Sequence, residues 1–274
     1  MPEGPEIRRA ADAIAKVVVD QPIEAVYFAF PKLQRFAEEL QGRRILEMET
    51  RGKALLTHFD NGYSIYSHNQ LYGVWKTAKR GKLPKTNRSL RLAIHTPTHS
   101  ALLYSASDIS VWRVEELGLH PFLQKIGPDL LSRDLDWRTV AQRLDDDRFR
   151  GRALSALYLD QHFLAGSGNY LRSEILFCAG IYPALKPREL TGGQRGLLAR
   201  ETLTVTRRSY DTAGITLKPR LATSLKKTTR SFEHRRFYVF GREGKPCYTC
   251  GDKIVRQDMG SRRIYFCPTC QPSP

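Results

Sequence analysis

The residues best suited to chemistry at the start of the chain are Pro2 and Glu3. Removal of Met1 would leave Pro2 with a free secondary amine, and an α-amino group, with a reference pKa of about 7.7–8.0, is far more nucleophilic at neutral pH than a lysine. Such an amine can attack an electrophilic carbon and form an iminium, which is an electron sink for later eliminations. The carboxyl of Glu3 could act as the acid and base that transfers protons during the attack and the eliminations. A structural interpretation is also open, because Pro5 suits the first turn of a helix and acidic residues favour its positive end.

Four cysteines near the C-terminus form the pattern in this sequence that most strongly predicts a metal-binding site. They form two Cys-x₂-Cys pairs separated by sixteen residues: Cys247, Cys250, Cys267 and Cys270. This spacing is typical of a zinc ribbon, in which four thiolates complete the coordination shell and leave no open position. We therefore predict one structural zinc ion, with two redox pairs or disulfides as the alternative. Since no signal peptide is recognisable, we expect a cytoplasmic protein, and Cys178 is predicted to be a small buried hydrophobe.

The charge of the chain is strongly positive and unevenly distributed. The sequence holds 44 basic and 28 acidic residues, a net charge of +16. Residues 1–130 carry 18 basic and 14 acidic side chains, whereas residues 131–274 carry 26 and 14. Such an excess attracts a polyanion, so nucleic acid is the leading candidate partner, and a basic surface without a partner is the alternative. The sequence has no apolar stretch of about 18 residues, so no membrane span is expected.

The N-terminal half is predicted to be one amphipathic helix followed by short strands. Apolar residues recur at helical spacing after Pro5 and predict a helix that ends near Asp20: Ile7, Ala10, Ala11, Ile14 and Val18. Six β-type runs follow, separated by turn signals: Ala25–Phe30, Ile45–Thr50, Ala54–Phe59, Tyr63–Ser67, Leu90–His95 and Ala101–Ser105. This spacing favours a β-sandwich over a parallel α/β sheet.

The predicted secondary structure changes from strands to helices after the Gly-Pro-Asp turn at residues 127–129. Four segments are predicted to be helices: Leu130–Leu144, Ala153–His162, Tyr170–Ala179 and Gln194–Arg208. The basic segment Lys218–Arg236 is predicted to be a mobile loop, and the cysteine ribbon a small β-hairpin. The expected class is α+β, with domains at residues 1–127, 128–236 and 237–274.

A glycine-bracketed turn joins two of the predicted helices at Leu164-Ala165-Gly166-Ser167-Gly168-Asn169-Tyr170. Gly166 and Gly168 permit positive φ and let another backbone approach closely. Asn169 is suited to capping the second helix, and the exposed amides at that helix end would form an anion site. Capping and phosphate binding are compatible, because a cap uses the side-chain oxygen and leaves its NH₂ group for a phosphate.

Three separated motifs resemble those of the formamidopyrimidine-DNA glycosylase/endonuclease VIII family: the Met-Pro-Glu-Gly-Pro-Glu start, the Gly-Ser-Gly-Asn-Tyr-Leu-Arg turn and the four-cysteine ribbon. Segments 51–56 (Arg-Gly-Lys-Ala-Leu-Leu) and 66–75 (Tyr-Ser-His-Asn-Gln-Leu-Tyr-Gly-Val-Trp) resemble the endonuclease VIII branch. The resemblance spans essentially the whole chain. It implies an N-terminal β-sandwich with flanking helices, a helix-two-turn-helix domain with a zinc finger, and DNA bound in the cleft between them.

The resemblance also implies roles for individual residues. Pro2 would be the nucleophile at C1′ of a damaged nucleotide, and Glu3 the proton donor and acceptor at the sugar. Lys53 would contact a DNA phosphate and be required for base excision. Asn169 and Arg262 would bind the phosphates around the flipped nucleotide, with Arg262 favoured by the family pattern over its neighbour Arg263.

A short loop matches the family segment that fills the gap left by an extruded base: Gln70, Leu71 and Tyr72. An apolar or aromatic wedge is suited to this task, because removing a base from the stack costs a few kcal/mol. Without the resemblance, Leu71 and Tyr72 would more often be assigned to the core of a strand.

The implied function is a bifunctional DNA glycosylase with AP-lyase activity that removes oxidised pyrimidines and cleaves the backbone by β,δ-elimination. The expected partner is damaged double-stranded DNA, bound by a monomer without a small-molecule cofactor. The 8-oxoguanine branch of the family is the alternative, disfavoured by Gly4 and by the Gln70–Tyr72 loop. A non-catalytic zinc-ribbon DNA-binding protein would suit the charge and the cysteines equally well, but Pro2, Glu3 and Lys53 argue against it.

Overall fold

The computed structural model describes residues 2–260 and 262–274. The chain folds into two units, one made of Pro2 with Glu6–Lys125 and the other of Glu3–Pro5 with Ile126–Pro274. The N-terminal peptide therefore contributes residues to both units, although it is continuous in sequence. Met1, whose removal would be needed to free the Pro2 amine, lies outside the described residues.

The N-terminal unit is a β-sandwich with two helices. The helices are α1 (Gly4–Val18) and α2 (Pro31–Leu40). The strands are β1 (Ala25–Phe28), β2 (Ile45–Arg51), β3 (Ala54–Phe59), β4 (Tyr63–His68), β5 (Val74–Lys79), β6 (Leu90–His95), β7 (His99–Tyr104) and β8 (Asp108–Arg113). They form two antiparallel sheets in the orders β1-β6-β7-β5 and β2-β3-β4-β8. The predicted sandwich is confirmed.

The core of this unit joins side chains from both sheets with one face of α1. Phe28 and Leu103 from one sheet and Phe59 and Ile65 from the other belong to the same buried cluster. The predicted apolar positions of α1 pack against it, with Ile7, Ala11, Ile14 and Val18 all at most 3% exposed. Three elements were not predicted from the sequence: α2, β5 and β8. The burial patterns of β5 and β8 do not alternate regularly, so their strand period is not clean. Helix α2 does carry a helical period, since Leu33, Phe36, Ala37 and Leu40 face the core, and this signal was overlooked.

The C-terminal unit is helical and ends in a two-stranded hairpin. Its elements are α3 (Trp137–Asp145), α4 (Leu154–Leu157), α5 (Asn169–Cys178), α6 (Gly192–Asp211), α7 (Pro219–Thr228), β9 (Val255–Met259) and β10 (Arg262–Phe266). Helix α5 is buried along almost its whole length and packs against α6 and β10. The helix predicted at Leu130–Leu144 is wrong over its first half. Asp129 instead forms a bridge with Ala165, and Leu130 begins a turn in which its N–H donates to the carbonyl of Ala165 at 3.1 Å. Helix α3 begins only after Asp136, whose carboxylate accepts the N–H of Thr139 at 2.8 Å.

Two other predictions in this unit need correction. The helix predicted at Ala153–His162 is confined to Leu154–Leu157, and Asp160 then forms a turn by accepting the N–H of His162 at 2.8 Å. The basic segment predicted to be a loop contains α7, which begins at Pro219 and packs Leu221, Ala222 and Leu225 on a buried cluster near the ribbon. None of the described helices is both long and apolar enough to cross a bilayer.

Candidate active site and nucleic-acid interface

The carboxylate of Glu3 lies on the N-terminus of α5. The backbone N–H of Tyr170 donates to Glu3 Oε1 at 2.8 Å, and that of Leu171 donates to Oε2 at 3.2 Å. Glu3 is 3% exposed, so two helix amides satisfy a nearly buried charge, and the helix dipole adds to the attraction. The position of Glu3 is therefore fixed by secondary structure that lies more than 160 residues away in sequence.

This contact corrects the predicted role of the helix end. The N-cap of α5 is Gly168, which has no side chain to cap the helix, and Asn169 is the first helical residue rather than the cap. The amides expected to bind a phosphate are occupied by Glu3 instead. The anion site predicted from the sequence exists, but its occupant is a carboxylate of the same chain.

The two glycines of the turn create the space for the N-terminal peptide. Gly166 has φ +98° and accepts the N–H of Gly4 at 2.8 Å. A Cβ atom on Gly168 would lie 2.4 Å from Cδ of Glu3, closer than van der Waals contact allows. The predicted close approach of another backbone is confirmed, and that backbone carries the proposed catalytic residues.

Replacing Gly168 with alanine is expected to lower the rate of base excision by tenfold or more, because the new methyl group occupies the position of the Glu3 side chain. Such a displacement is worth about 1.4 kcal/mol or more in the barrier. Gly151→Ala is the matched control, since a Cβ there meets no atom within 4 Å. Single-turnover excision rates and circular dichroism of both variants provide the measurement; equal rates would mean that Glu3 tolerates displacement.

Arg172 organises the region around Asn169. Its guanidinium is fully buried and donates to Oδ1 of Asn169 at 2.6 Å and to the carbonyl of Ser155 at 2.7 Å. Because Arg172 can only donate, it fixes the Asn169 amide with its oxygen inward and its NH₂ group on the opposite side. The pKa of Arg172 is lowered to about 10, chiefly because the side chain is buried; the nearby charge of Glu3 opposes this effect and that of Arg262 adds to it.

The β9–β10 hairpin brings Arg262 to the same region. Arg172 donates to the carbonyl of Arg263 at 2.8 Å and more weakly to that of Arg262 at 3.5 Å. Alternation along β10 puts Arg262 on the face of the buried residues Ile264 and Phe266, whereas Arg263 belongs to the opposite face. The structure thus brings Glu3, Asn169 and Arg262 together around one buried guanidinium.

The four predicted cysteines form one cluster at the base of this hairpin. Their sulfur atoms all lie within 4.8 Å of one another, and none forms a disulfide. Two of the distances are 3.8 Å, between Cys247 and Cys270, and 3.4 Å, between Cys250 and Cys267. A tetrahedral thiolate shell with Zn–S bonds near 2.3 Å separates its sulfurs by about 3.8 Å, so this donor set fits one metal ion.

Sequence reasoning missed the part played by Glu174. Its carboxylate is fully buried and accepts the N–H groups of Tyr238, Val239 and Phe240 at 2.7–2.9 Å, together with the hydroxyl of Thr216. Burial raises the pKa of Glu174, and these four donors oppose that effect. Glu174 therefore fastens the segment that leads into the cysteine ribbon onto α5. The only sequence signal was an acidic residue within an apolar helix.

Lys53 and the Gln70–Tyr72 loop lie in the N-terminal unit. Gly52 and Lys53 form the two-residue turn between β2 and β3, and Gly52 adopts the left-handed conformation with φ +63°. Leu71 and Tyr72 are 52% and 68% exposed, so they are not the strand core that their apolar character alone would suggest. Pro2 is half-buried.

The fold of the whole chain is that of a known class of DNA-repair protein. Two solved structures of formamidopyrimidine-DNA glycosylase from Lactococcus lactis superpose on it, one in complex with DNA that contains N7-benzyl-Fapy-dG and one with DNA that contains an oxidized pyrimidine. The TM-scores are 0.81 and 0.82, each at 21% identity and covering 99% of this chain and 100% of the other. At this identity the likeness establishes the fold.

Sequence comparison identifies the family. Residues 1–107 match the profile of the formamidopyrimidine-DNA glycosylase N-terminal domain, and residues 126–220 that of its H2TH domain. The chain is 46% identical over 271 residues to Endonuclease 8 of Escherichia coli and of Shigella sonnei, covering 99% of this chain and all of each relative. The protein belongs to the formamidopyrimidine-DNA glycosylase/endonuclease VIII family, whose members are DNA glycosylases with AP-lyase activity in base excision repair.

Proposed function

We propose that the protein removes oxidised pyrimidines from double-stranded DNA through a Schiff base on Pro2 and then cleaves the backbone by β,δ-elimination. The observation that carries this proposal is the carboxylate of Glu3, held on the amides of Tyr170 and Leu171 next to the N-terminal proline. A buried carboxylate beside a secondary amine supplies a nucleophile and a proton carrier on consecutive residues.

The chemistry requires Met1 to be absent, so that Pro2 has a free amine. The Pro2 nitrogen attacks C1′ of the flipped nucleotide as the bond from C1′ to the base breaks. The Glu3 carboxylate takes up the proton that the Pro2 nitrogen loses and passes it to the ring oxygen O4′, while the departing base takes a proton from water. The C1′–O4′ bond then breaks, the sugar ring opens and a positively charged iminium forms at C1′. Loss of a proton from C2′ then expels the 3′ phosphate, and a second elimination expels the 5′ phosphate. The iminium accepts the electron pair in each elimination.

The DNA backbone would be held by three groups. Lys53, Asn169 and Arg262 would contact phosphates around the extruded nucleotide. The buried guanidinium of Arg172 supports two of them, since it orients the amide of Asn169 and binds the hairpin that carries Arg262. Phosphate contacts of this kind position a protein on DNA without reading sequence.

The proposed domains are a catalytic β-sandwich at residues 1–127, a helix-two-turn-helix domain at 128–236 and a four-cysteine zinc finger at 237–274. We further propose a monomer that acts in the cytoplasm on chromosomal DNA and needs no small-molecule cofactor.

One zinc ion bound by the four cysteines would stabilise the hairpin rather than take part in the reaction. Removing it by chelation, or replacing Cys250 with serine, is expected to weaken binding to lesion DNA by tenfold or more, because Arg262 would no longer be fixed. Cys178→Ala is the control, since Cys178 lies outside the cluster. Metal analysis should find one zinc per chain in the wild type and in this control. Folded, active protein without zinc would contradict the assignment.

The substrate class follows from the cost of extrusion. Many oxidised pyrimidines are non-planar or poorly stacked, so they leave the helix more readily than a stacked purine. We expect thymine glycol to be excised at least about tenfold faster than 8-oxoguanine opposite cytosine, a difference of about 1.4 kcal/mol in barrier. Single-turnover rates on matched duplexes test this. A preference for 8-oxoguanine would assign the protein to the other branch of the family with the same chemistry at Pro2.

A further inference from the structure

We infer that the Nδ1 atom of His68 positions the base-extrusion loop Gln70–Tyr72, so that His68 is a positioning residue for excision of paired lesions. This inference rests on the proposed function, since it assigns the loop to extrusion of a base. The observation behind it is a hydrogen bond in which the backbone N–H of Gln70 donates to Nδ1 of His68 at 2.9 Å.

The loop is strained and has few other attachments. Gln70 has φ +50°, a left-handed conformation that a non-glycine residue adopts at a cost. The loop then closes with a hydrogen bond from the N–H of Gly73 to the carbonyl of Asn69 at 2.7 Å, and a Cβ on Gly73 would clash with that carbonyl at 2.5 Å. A tight turn of this kind points Leu71 and Tyr72 into solvent, where they are more than half exposed.

Two further contacts hold the ends of the loop. The hydroxyl of Ser107 donates to Oε1 of Gln70 at 2.6 Å, and Arg88 donates to the carbonyl of Tyr72 at 2.6 Å. Ser107 and Arg88 are both exposed, so water can compete for these bonds. His68 is half-buried at the end of β4 and packs against the ring of Phe122 with centroids 5.9 Å apart. Of the three anchors, His68 is thus the least exposed to competing water.

The hydrogen bond fixes the tautomer of His68. A backbone N–H can donate only to an unprotonated ring nitrogen, so the neutral ring carries its proton on Nε2. Protonation of Nδ1 would remove the acceptor and bring the N–H of His68 into repulsive contact with the N–H of Gln70. The loop would then lose the contact that supports the left-handed conformation of Gln70.

The surroundings keep the ring neutral near pH 7. Burial lowers the pKa of His68, the positive charge of Lys53 lowers it further, and Asp108 of the neighbouring strand β8 opposes both. The contact therefore exists in neutral solution and is lost as the pH falls below the ordinary histidine range. The pH dependence has this direction because only the uncharged form of His68 can accept the hydrogen bond from Gln70.

The test compares three variants on two substrates between pH 5 and pH 8. His68→Asn puts an amide oxygen near the position of Nδ1 and keeps the acceptor, whereas His68→Gln reaches the position of Nε2 and His68→Ala keeps neither. The readout is the ratio of the single-turnover rate on a thymine glycol duplex to the rate of cleavage at a preformed abasic site, which needs little extrusion. A general loss of folding would lower both rates and leave this ratio unchanged.

We expect His68→Asn to retain at least half of the wild-type ratio at pH 7.5, and the Gln and Ala variants to lose about tenfold. The wild-type ratio should decrease as the pH is lowered from 8 to 5, and the ratio of His68→Asn should decrease less. An unchanged ratio in His68→Ala, or equal losses in the Asn and Gln variants, would overturn the inference. Absence of abasic-site cleavage by the wild type would instead contradict the proposed function.

Discussion

Replacing Glu3 with glutamine is expected to slow excision of thymine glycol by about 10²–10⁴-fold, the range that a positioned proton donor contributes. Glutamine retains one oxygen, which can accept the N–H of Tyr170, but it presents an NH₂ group to the N–H of Leu171. The side chain would remain near its site and lose its ability to move a proton. Affinity for lesion DNA should change little, since the shape of the turn is retained.

The matched controls for this variant separate chemistry from binding. Glu6→Gln removes another carboxylate of the N-terminal peptide, one that pairs with Arg9 at 3.5 Å on α1, and should keep full activity.

Arg262→Ala should weaken binding to DNA and reduce the salt dependence of binding by the equivalent of about one phosphate contact. Arg263→Ala, on the opposite face of β10, should have the smaller effect on both. Titration and single-turnover kinetics measure both quantities. Full glycosylase turnover by Glu3→Gln would disprove the role assigned to Glu3.

Protein that retains Met1, or carries any N-terminal extension, is expected to lose both excision and cleavage at abasic sites by more than 10³-fold. The nitrogen of Pro2 is then part of an amide, whose electron pair is delocalised into the carbonyl group and cannot attack C1′. An extension of the same length at the C-terminus is the control and should leave the rates unchanged. Cleavage by the blocked protein at the normal rate would point to a side-chain amine as the nucleophile.

Much of the fold could be predicted from the sequence because its signals are local. The helix after Pro5, the strands Ala54–Phe59 and Leu90–His95 and the cysteine hairpin follow from periodicity and spacing, and the structure confirms them. The sequence was less informative where tertiary contacts decide the conformation. Leu130 begins a turn that is bonded to Ala165, rather than the helix predicted to start there, and α7 is stabilised by a few apolar residues among many basic ones.

The candidate site also has features that could be predicted from local sequence and features that depend on residues distant in sequence. The motif at Gly166–Asn169 indicated a turn that another backbone approaches, but not that the approaching group would be Glu3 of the N-terminal peptide. Arg172 and Glu174 were visible only as charges in an apolar helix, because most of their partners are carbonyl and amide groups 64 to 91 positions away. Such long-range partners leave no spacing in the sequence from which they could be inferred.

The identity of the nucleophile is the central claim, and mapping the covalent adduct tests it most directly. Protein without Met1 would be mixed with abasic duplex DNA, reduced with borohydride, digested and analysed by tandem mass spectrometry. The expected result is a single sugar adduct on the nitrogen of Pro2, absent when the N-terminus is extended or acetylated. An adduct on Lys53 or another lysine, or equal trapping of the blocked protein, would contradict the mechanism.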